Sequence, residues 1–398
     1  MTTIAEAEPT ASGQSASERP VYLDCNATTP VEPEVLSEVF RYMAEEYGNA
    51  GSRTHQYGQV AKERVNLARA EIAEVVAAKS DEVIFTSGAT ESNNIALLGL
   101  ARHGEETGRK HLISTMIEHK AVLEPLQALQ AQGFEVTLLA PTSGGYVEPE
   151  AVAAALRPDT LAVSVMAINN ETGVIQPVGE IAQTLHDHDA YFHVDGAQAY
   201  GKEIDLLRNQ RIDLLSVSGH KVYAPKGIGA IITRRRGYKR PPLQPIIYGG
   251  GQERGLRPGT LPVPLVAGFG TASRLALRDQ DKRRRACLAF KRDMLAAFAS
   301  LGAQINGTAE RTVPHALNIS IPGIDAEAAM VALKGLVAIS NGSACTSHSY
   351  EPSHVLEAMG LTEGRANGAL RVSWCYMTET PDYESIVDRL TQVQHLQR

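Results

Sequence analysis

The chain has 398 residues, 43% of them hydrophobic and 21% charged, with a formal net charge of −7. No run approaches the ~20 apolar residues that cross a bilayer, and the negative balance offers nucleic acid no general attraction. The four cysteines, Cys25, Cys287, Cys345 and Cys375, form no C-x-x-C pair and no dense framework, which points to reduced thiols in a cytoplasmic setting.

Residues 1–20 are rich in Ala, Ser, Thr and Glu and have no basic segment leading into an apolar one. They read as a disordered tail rather than a secretory signal. From Glu71 onward, short β-rich runs alternate with helical patterns. Residues 83–86 read as a strand, 91–101 as a helix, 111–115 as a strand and 121–132 as a helix. Residues 136–139, 161–166, 191–194, 212–216 and 229–233 continue the strand series. This alternation predicts an α/β fold with a mostly parallel sheet covered on both faces. In such sheets chemistry gathers beyond the carboxyl ends of the strands. The rhythm changes near residue 275. Residues 275–300 read as one long helix, charged on one side. A strand over 316–321, a helix from Ala326, a loop at Cys345, a strand over 370–374 and a last helix from Asp382 follow, making a smaller α+β unit. Residues 21–23 are expected to join that unit.

Several motifs fall at the predicted strand ends. Ser87-Gly88-Ala89-Thr90-Glu91-Ser92-Asn93 follows a strand and opens a helix. Small residues there let free backbone N–H groups face a phosphate, although a plain helix cap has the same look. Asp195, in His193-Val194-Asp195-Gly196-Ala197-Gln198, ends another strand, where a carboxylate can pair with a protonated pyridine nitrogen. Lys221, in Ser218-Gly219-His220-Lys221, follows the next strand; its amine can hold a carbonyl cofactor as a Schiff base. In Glu118-His119-Lys120, His119 offers an imidazole to stack on a ring and relay protons. Taken singly these are a capping Asp, a surface Lys and a satisfied His. Their succession at strand ends is the order expected of a pyridoxal-phosphate enzyme. The fourth element is Cys345, in Gly342-Ser343-Ala344-Cys345-Thr346-Ser347, a thiol in a small-residue loop and a candidate nucleophile.

Other patterns are decoys. Residues 196–202 fit G-x-x-x-x-G-K, but Glu203 stands where a P-loop needs Ser or Thr. His186, Asp187, His188 and His193 resemble a metal cluster but lie partly in a polar turn. Gly249-Gly250-Gly251 reads as a flexible turn. Two basic runs, Arg234, Arg235, Arg236, Lys239 and Arg240, then Lys282 to Arg285, read either as solvated faces or as a docking surface for acidic partners or nucleic acid.

The chain resembles the cysteine desulfurases, fold-type I pyridoxal-phosphate enzymes grouped with the class V aminotransferases. The likeness runs from Tyr22 to the last helix. It rests on Tyr22-Leu23-Asp24 with Ala27-Thr28-Thr29-Pro30, Thr86-Ser87-Gly88-Ala89-Thr90-Glu91-Ser92, Glu118-His119-Lys120-Ala121, Asn169-Asn170-Glu171-Thr172-Gly173, His193-Val194-Asp195, Ser218-Gly219-His220-Lys221 and Gly259-Thr260-Leu261-Pro262. The Cys345 loop looks like the long loop of the housekeeping and nitrogen-fixation branch. Gly48-Asn49-Ala50-Gly51-Ser52-Arg53-Thr54-His55 looks like the desulfurases of bacterial DNA phosphorothioation systems. Cys25-Asn26, His348, Tyr350 and Trp374-Cys375-Tyr376 depart from the family pattern.

The resemblance implies a mostly parallel seven-stranded sheet with a smaller α+β domain. Residues 31–275 would form the large domain, and residues 21–30 with 276–398 the small one. It implies that Lys221 carries pyridoxal 5′-phosphate, Asp195 pairs with the pyridine nitrogen, Gln198 with the ring oxygen, and His119 stacks on the ring. Ala89, Thr90, Ser218 and His220 would hold the phosphate, with Thr260 reaching across from a second copy in a homodimer. Asn170 and Arg371 would grip the carboxylate of L-cysteine. Cys345 would accept the sulfur as a persulfide and pass it to an iron–sulfur scaffold, a thio-cofactor pathway or a DNA-modification protein. A transient iron–sulfur ligation by Cys345 is a further implication; no other metal is expected. Two alternatives stand: a selenocysteine or cysteine sulfinate lyase that forms no persulfide, and a sulfur-relay scaffold that works by binding.

Overall fold

The computed structural model describes residues 19–341 and 353–396. Its largest sheet has seven strands, in the order Val83–Thr86, Gly229–Thr233, Leu214–Ser218, Tyr191–Asp195, Thr160–Met166, His111–Thr115 and Glu135–Leu139. Only Gly229–Thr233 runs against its neighbours. The inner strands are apolar on both faces and buried throughout, the pattern of a sheet sandwiched between helices. The expected strand over 212–216 lies two residues further on, at Leu214–Ser218, which brings its end to within three positions of Lys221.

The long helix spans Val263–Ala299, starting twelve positions before the residue expected from the sequence. Pro262 and Pro264 frame its first turn, where proline is tolerated. The interior glycines weaken the helical signal, but packing needs them. A Cβ on Gly270 would lie 2.6 Å from the Cα of Ala68, so the helix Gln56–Val75 crosses here almost backbone to backbone. The residue-275 boundary thus falls inside a continuous rod. Its first half, through Ala276, packs in the core of the large sheet. Its second half, with Cys287, Met294 and Phe298, packs in a separate core.

That second core is built on Ala316–Ser320 between Ala369–Ser373 and Gln304–Ile305, all antiparallel. Trp374 is fully buried in it, stacked on Phe290 with centroids 5.0 Å apart. Val21–Tyr22 pairs in parallel with Val337–Ala338, and Asp24 bridges to Ser373, so the amino-terminal strand does join this unit. Among the described residues no helix is long and apolar enough to cross a membrane.

The basic runs are largely consumed by the fold. Arg234 is buried and donates to the carbonyls of Ile212, Val76 and Leu207. Arg236 pairs with Asp213, and Arg235 and Arg240 with Asp81. Arg283 binds Glu32, and Arg284 binds Glu203. Neither expectation fits Arg234, which ties three loops together beneath the sheet.

Candidate active site

A cavity of about 470 Å³ opens at the carboxyl ends of the large sheet, a size suited to a small cofactor with its substrate. Each strand end delivers one wall. Val83–Thr86 leads into Gly88 and the helix Ala89–Leu98, whose Ala89 and Thr90 line the cavity. Gly229 must be glycine for this loop to sit so low: a Cβ there would lie 2.6 Å from the Cα of Gly88. His111–Thr115 leads to His119, Thr160–Met166 to Asn170, and Leu214–Ser218 to His220 and Lys221. Asp195 closes its own strand between Met166 and Ser216 in register.

The Lys221 ammonium nitrogen donates to the carbonyls of Asn26 at 2.5 Å and Ala27 at 2.7 Å. Those carbonyls come from the amino-terminal segment, nearly two hundred residues away in sequence. Just beyond, buried Tyr223 has φ of 66°, an uncommon conformation for a bulky side chain. Three contacts hold it: its N–H on Thr29 Oγ1 at 2.9 Å, the Arg283 guanidinium over its ring at 5.0 Å, and Tyr376 edge-on at 5.2 Å.

Asp195 is fixed at both oxygens. Oδ2 accepts from Asn93 Nδ2 at 2.7 Å, and Oδ1 from the Ala197 N–H at 2.9 Å. His119 caps the helix Lys120–Ala131: its Nδ1 accepts from the Ala121 N–H at 3.0 Å. A neutral ring therefore carries its proton on Nε2. Burial holds the His119 pKa below its ordinary value, with Asp195 opposing that shift. His220 meets Thr28 Oγ1 at 3.2 Å. Burial, helped by the Lys221 charge, drives its pKa down to about 4, so at neutral pH it offers hydrogen bonds and no charge.

Arg371 is 1% exposed. It donates to Asp24 Oδ1 at 2.7 Å and to the Asn170 carbonyl at 3.2 Å, while its Nε has no hydrogen-bond partner. Gln198 donates to the Asn26 carbonyl at 3.0 Å. The buried Gln198 Oε1 and Asn26 Oδ1, both on residues that line the cavity, also have no hydrogen-bond partner. Orphaned buried polar atoms are costly unless a ligand satisfies them.

These features fit pyridoxal 5′-phosphate: a helix start with free N–H groups for a phosphate, a carboxylate anchored for a ring nitrogen, an amine for the carbonyl, and unsatisfied amides for ring substituents. The cavity gathers ten of the residues expected from the sequence: Ala89, Thr90, His119, Asn170, Asp195, Gln198, Ser218, His220, Lys221 and Arg371. Thr260 is not among them and is exposed. Cys345 lies outside the described residues. The chain on either side of it is tied to the cavity walls: Ser340 exchanges backbone bonds with Arg371, Ser353 Oγ donates to Glu171 at 2.5 Å, and His354 Nε2 meets the Glu118 carbonyl at 3.0 Å.

Sequence reasoning missed Asn26 and Asn93. Asn93 sits one helical turn after Ala89 on the cavity side, a spacing that contained the signal. Nothing local to Asn26 announced its part. Of the decoys, His193 is buried with Nδ1 on Ser164 Oγ at 2.8 Å and Nε2 on Ser216 Oγ at 3.0 Å, so both ring nitrogens are engaged in bracing strands.

A model of the class-V aminotransferase family matches residues 21–385. The mitochondrial cysteine desulfurase of Saccharomyces cerevisiae is 46% identical over 354 residues, 89% of this chain and 70% of that protein. The crystal structure of DndA from Streptomyces lividans superposes with a TM-score of 0.79 at 52% identity, over 89% of this chain and 98% of that one. SspA, solved in complex with cysteine, superposes with a TM-score of 0.78 at 34% identity, over 90% of this chain and all of that one. The chain belongs to the class-V aminotransferase family and, within it, to the cysteine desulfurases.

Proposed function

We propose that the chain converts L-cysteine to L-alanine and transfers the sulfur to Cys345. Atoms balance: cysteine plus the Cys345 thiol give alanine plus a Cys345 persulfide. Bound pyridoxal phosphate supplies an electron sink conjugated to the substrate Cα. Lys221 would be the anchoring amine and, when free, the base that takes the Cα proton. The Asn26 and Ala27 carbonyls aim its nitrogen into the cavity. Asp195 keeps a proton on the ring nitrogen, and Asn93 and Ala197 hold the carboxylate in place for it. Neutral His119, with Nδ1 taken by the Ala121 N–H, would face the ring and donate from Nε2. Arg371, oriented by Asp24, receives the substrate carboxylate beside Asn170.

The observation that carries this reading is the convergence of Lys221, Asp195 and Arg371 on one cavity whose wall also anchors the Cys345 segment. The test is alanine release from cysteine under reductant. Cys345→Ala should bind cysteine yet release no alanine. Full turnover by that variant defeats the assignment and favours a selenocysteine or cysteine sulfinate lyase. A protein that binds cysteine without any Lys221-dependent visible absorption would instead be a relay scaffold.

Exposed Thr260 serves the phosphate of a second copy in this reading. Mixed dimers of Thr260→Ala and Lys221→Ala chains, which keep one intact composite site, should recover part of the activity that each variant lacks. In this reading the enzyme works in the cytoplasm, in keeping with cysteines that form no dense framework. For the acceptor, an iron–sulfur scaffold or a thio-cofactor pathway ranks first, and the 48–55 string keeps a DNA-modification protein as the alternative. In that string, the Gly51 N–H donates to Asn49 Oδ1 at 2.8 Å and His55 caps the following helix. Persulfide transfer from radiolabelled cysteine to each purified acceptor class separates the two.

A further inference from the structure

Two departures from the family pattern, Cys25 and Cys375, meet in space although 350 residues separate them. The Cys25 N–H donates to the Ser373 carbonyl at 3.0 Å, and both thiols pack with Tyr223 in one small cluster. The Cys25 and Cys375 side chains lie within hydrogen-bonding reach of each other. Thr378 Oγ1 also donates to that sulfur, at 3.5 Å. A surface cleft of about 230 Å³ has both cysteines in its wall, with residues 19–22 on one rim and Met377, Thr378 and Glu379 on the other.

Behind the pair lies the amine of Lys202, buried and with no hydrogen-bond partner. Its charge acts on Cys25, Cys287 and Cys375 alike. Cys287 lines a different small cavity with His315 and Arg283. The hydrogen bond from Cys25, then those from Thr378 and Met377 and the Lys202 charge, hold the Cys375 pKa below the usual thiol value. Burial pushes that of Cys287 up to about 12. None of these thiols touches the proposed reaction.

We propose that Cys25 and Cys375 are a modification site that closes to a reversible disulfide when a hydroperoxide enters the shared cleft, Cys375 being oxidised first. In the first step the Cys375 thiolate takes the distal peroxide oxygen. The peroxide accepts two electrons and, with a proton, leaves as the alcohol or water, and Cys375 becomes a sulfenic acid. In the second the Cys25 sulfur displaces that oxygen, which departs as water with the thiol proton. The pair abuts the site, because Cys25 precedes the Asn26 carbonyl that holds Lys221 and Cys375 follows the strand that bears Arg371.

The test uses the pyridoxal-phosphate holoenzyme carrying Cys345→Ala, to remove the competing thiol, titrated with hydrogen peroxide and mapped without reduction. The expected result is a linked peptide joining Cys25 to Cys375, two hydrogens lighter than its parts and lost on adding dithiothreitol. Cys25→Ser should leave a Cys375 sulfenic acid that dimedone traps, and Cys375→Ser should give no trapped sulfenic acid at Cys25. In the unoxidised protein Cys375 should alkylate at least about tenfold faster than Cys287. Oxidation confined to Cys287, or a Cys375 that neither links nor traps while the protein stays folded, overturns the proposal. The mapping and alkylation arms need no cysteine substitution in the pair, so they decide the matter even if those variants fail to fold.

Discussion

Two lysines border the same segment, residues 25–27, and the fold treats them in opposite ways. Lys221 points into a large open cavity and is held by two carbonyls of that segment. Lys202 is sunk among thiols with no hydrogen-bond partner for its nitrogen, and burial lowers its pKa. An amine aimed by acceptors in a cavity with orphaned amide oxygens is prepared for a ligand. A buried amine beside sulfur tunes neighbours instead. In the sequence, Lys221 stands out by its place after a strand end, while Lys202 belongs to a stretch that only imitates a P-loop.

The contrast predicts, first and largest, that Lys221→Ala loses at least about a thousandfold in alanine formation while still binding cysteine. Second is a stability effect at the cavity's rear. Glu118 is fully buried, its Oε1 accepting from Thr115 at 2.8 Å and the Met166 N–H at 2.9 Å, and its Oε2 has no partner. Burial raises its pKa to about 8. The folded protein therefore holds a proton that the unfolded chain releases above its ordinary carboxyl value, and stability falls as pH rises between about 4.5 and 8. Glu118→Gln should abolish that slope, gaining about 2–4 kcal/mol relative to the parent between pH 5 and pH 8, read by denaturant midpoints. An unchanged slope would show that Glu118 is ionised in place.

Third, Arg371→Lys should raise KM for cysteine about 10- to 100-fold with a smaller change in kcat, because a lysine cannot keep both the Asp24 bond and a two-point grip on carboxylate. Fourth, Asn93→Ala should lower kcat about tenfold with KM nearly unchanged, since it frees one Asp195 oxygen without touching substrate. The smallest effect belongs to the other region. Lys202→Met should leave kcat within about threefold and raise stability by about 1 kcal/mol, since a buried amine with no hydrogen-bond partner costs stability, yet slow Cys375 alkylation. A collapse of kcat in Lys202→Met would erase the distinction between the two regions.

Most of the cavity was legible because strand-to-helix turns are short-range features. A strand end, a small residue and a helix start lie within a few positions, so Ala89, Thr90, His119, Asp195 and Lys221 announce themselves. The helix Val263–Ala299 was half hidden, because the glycines that weaken its pattern are there for a neighbouring helix. Arg234 read as part of a charged run, yet its two terminal nitrogens donate to the carbonyls of Ile212, Val76 and Leu207.

What the amino-acid order alone determined is the succession of elements and the chemical groups at their ends, since periodicity and capping act over a few residues. Tertiary structure decided which distant segments supply the second contact. It brought Asn26 and Ala27 to Lys221, Asp24 to Arg371 and Asn93 to Asp195, left Thr260 away from its own cavity, and set Cys25 against Cys375. All but the Asn93 contact depend on the packing of the amino-terminal segment between two cores, and no local pattern encodes a contact whose partner lies a hundred or more residues away.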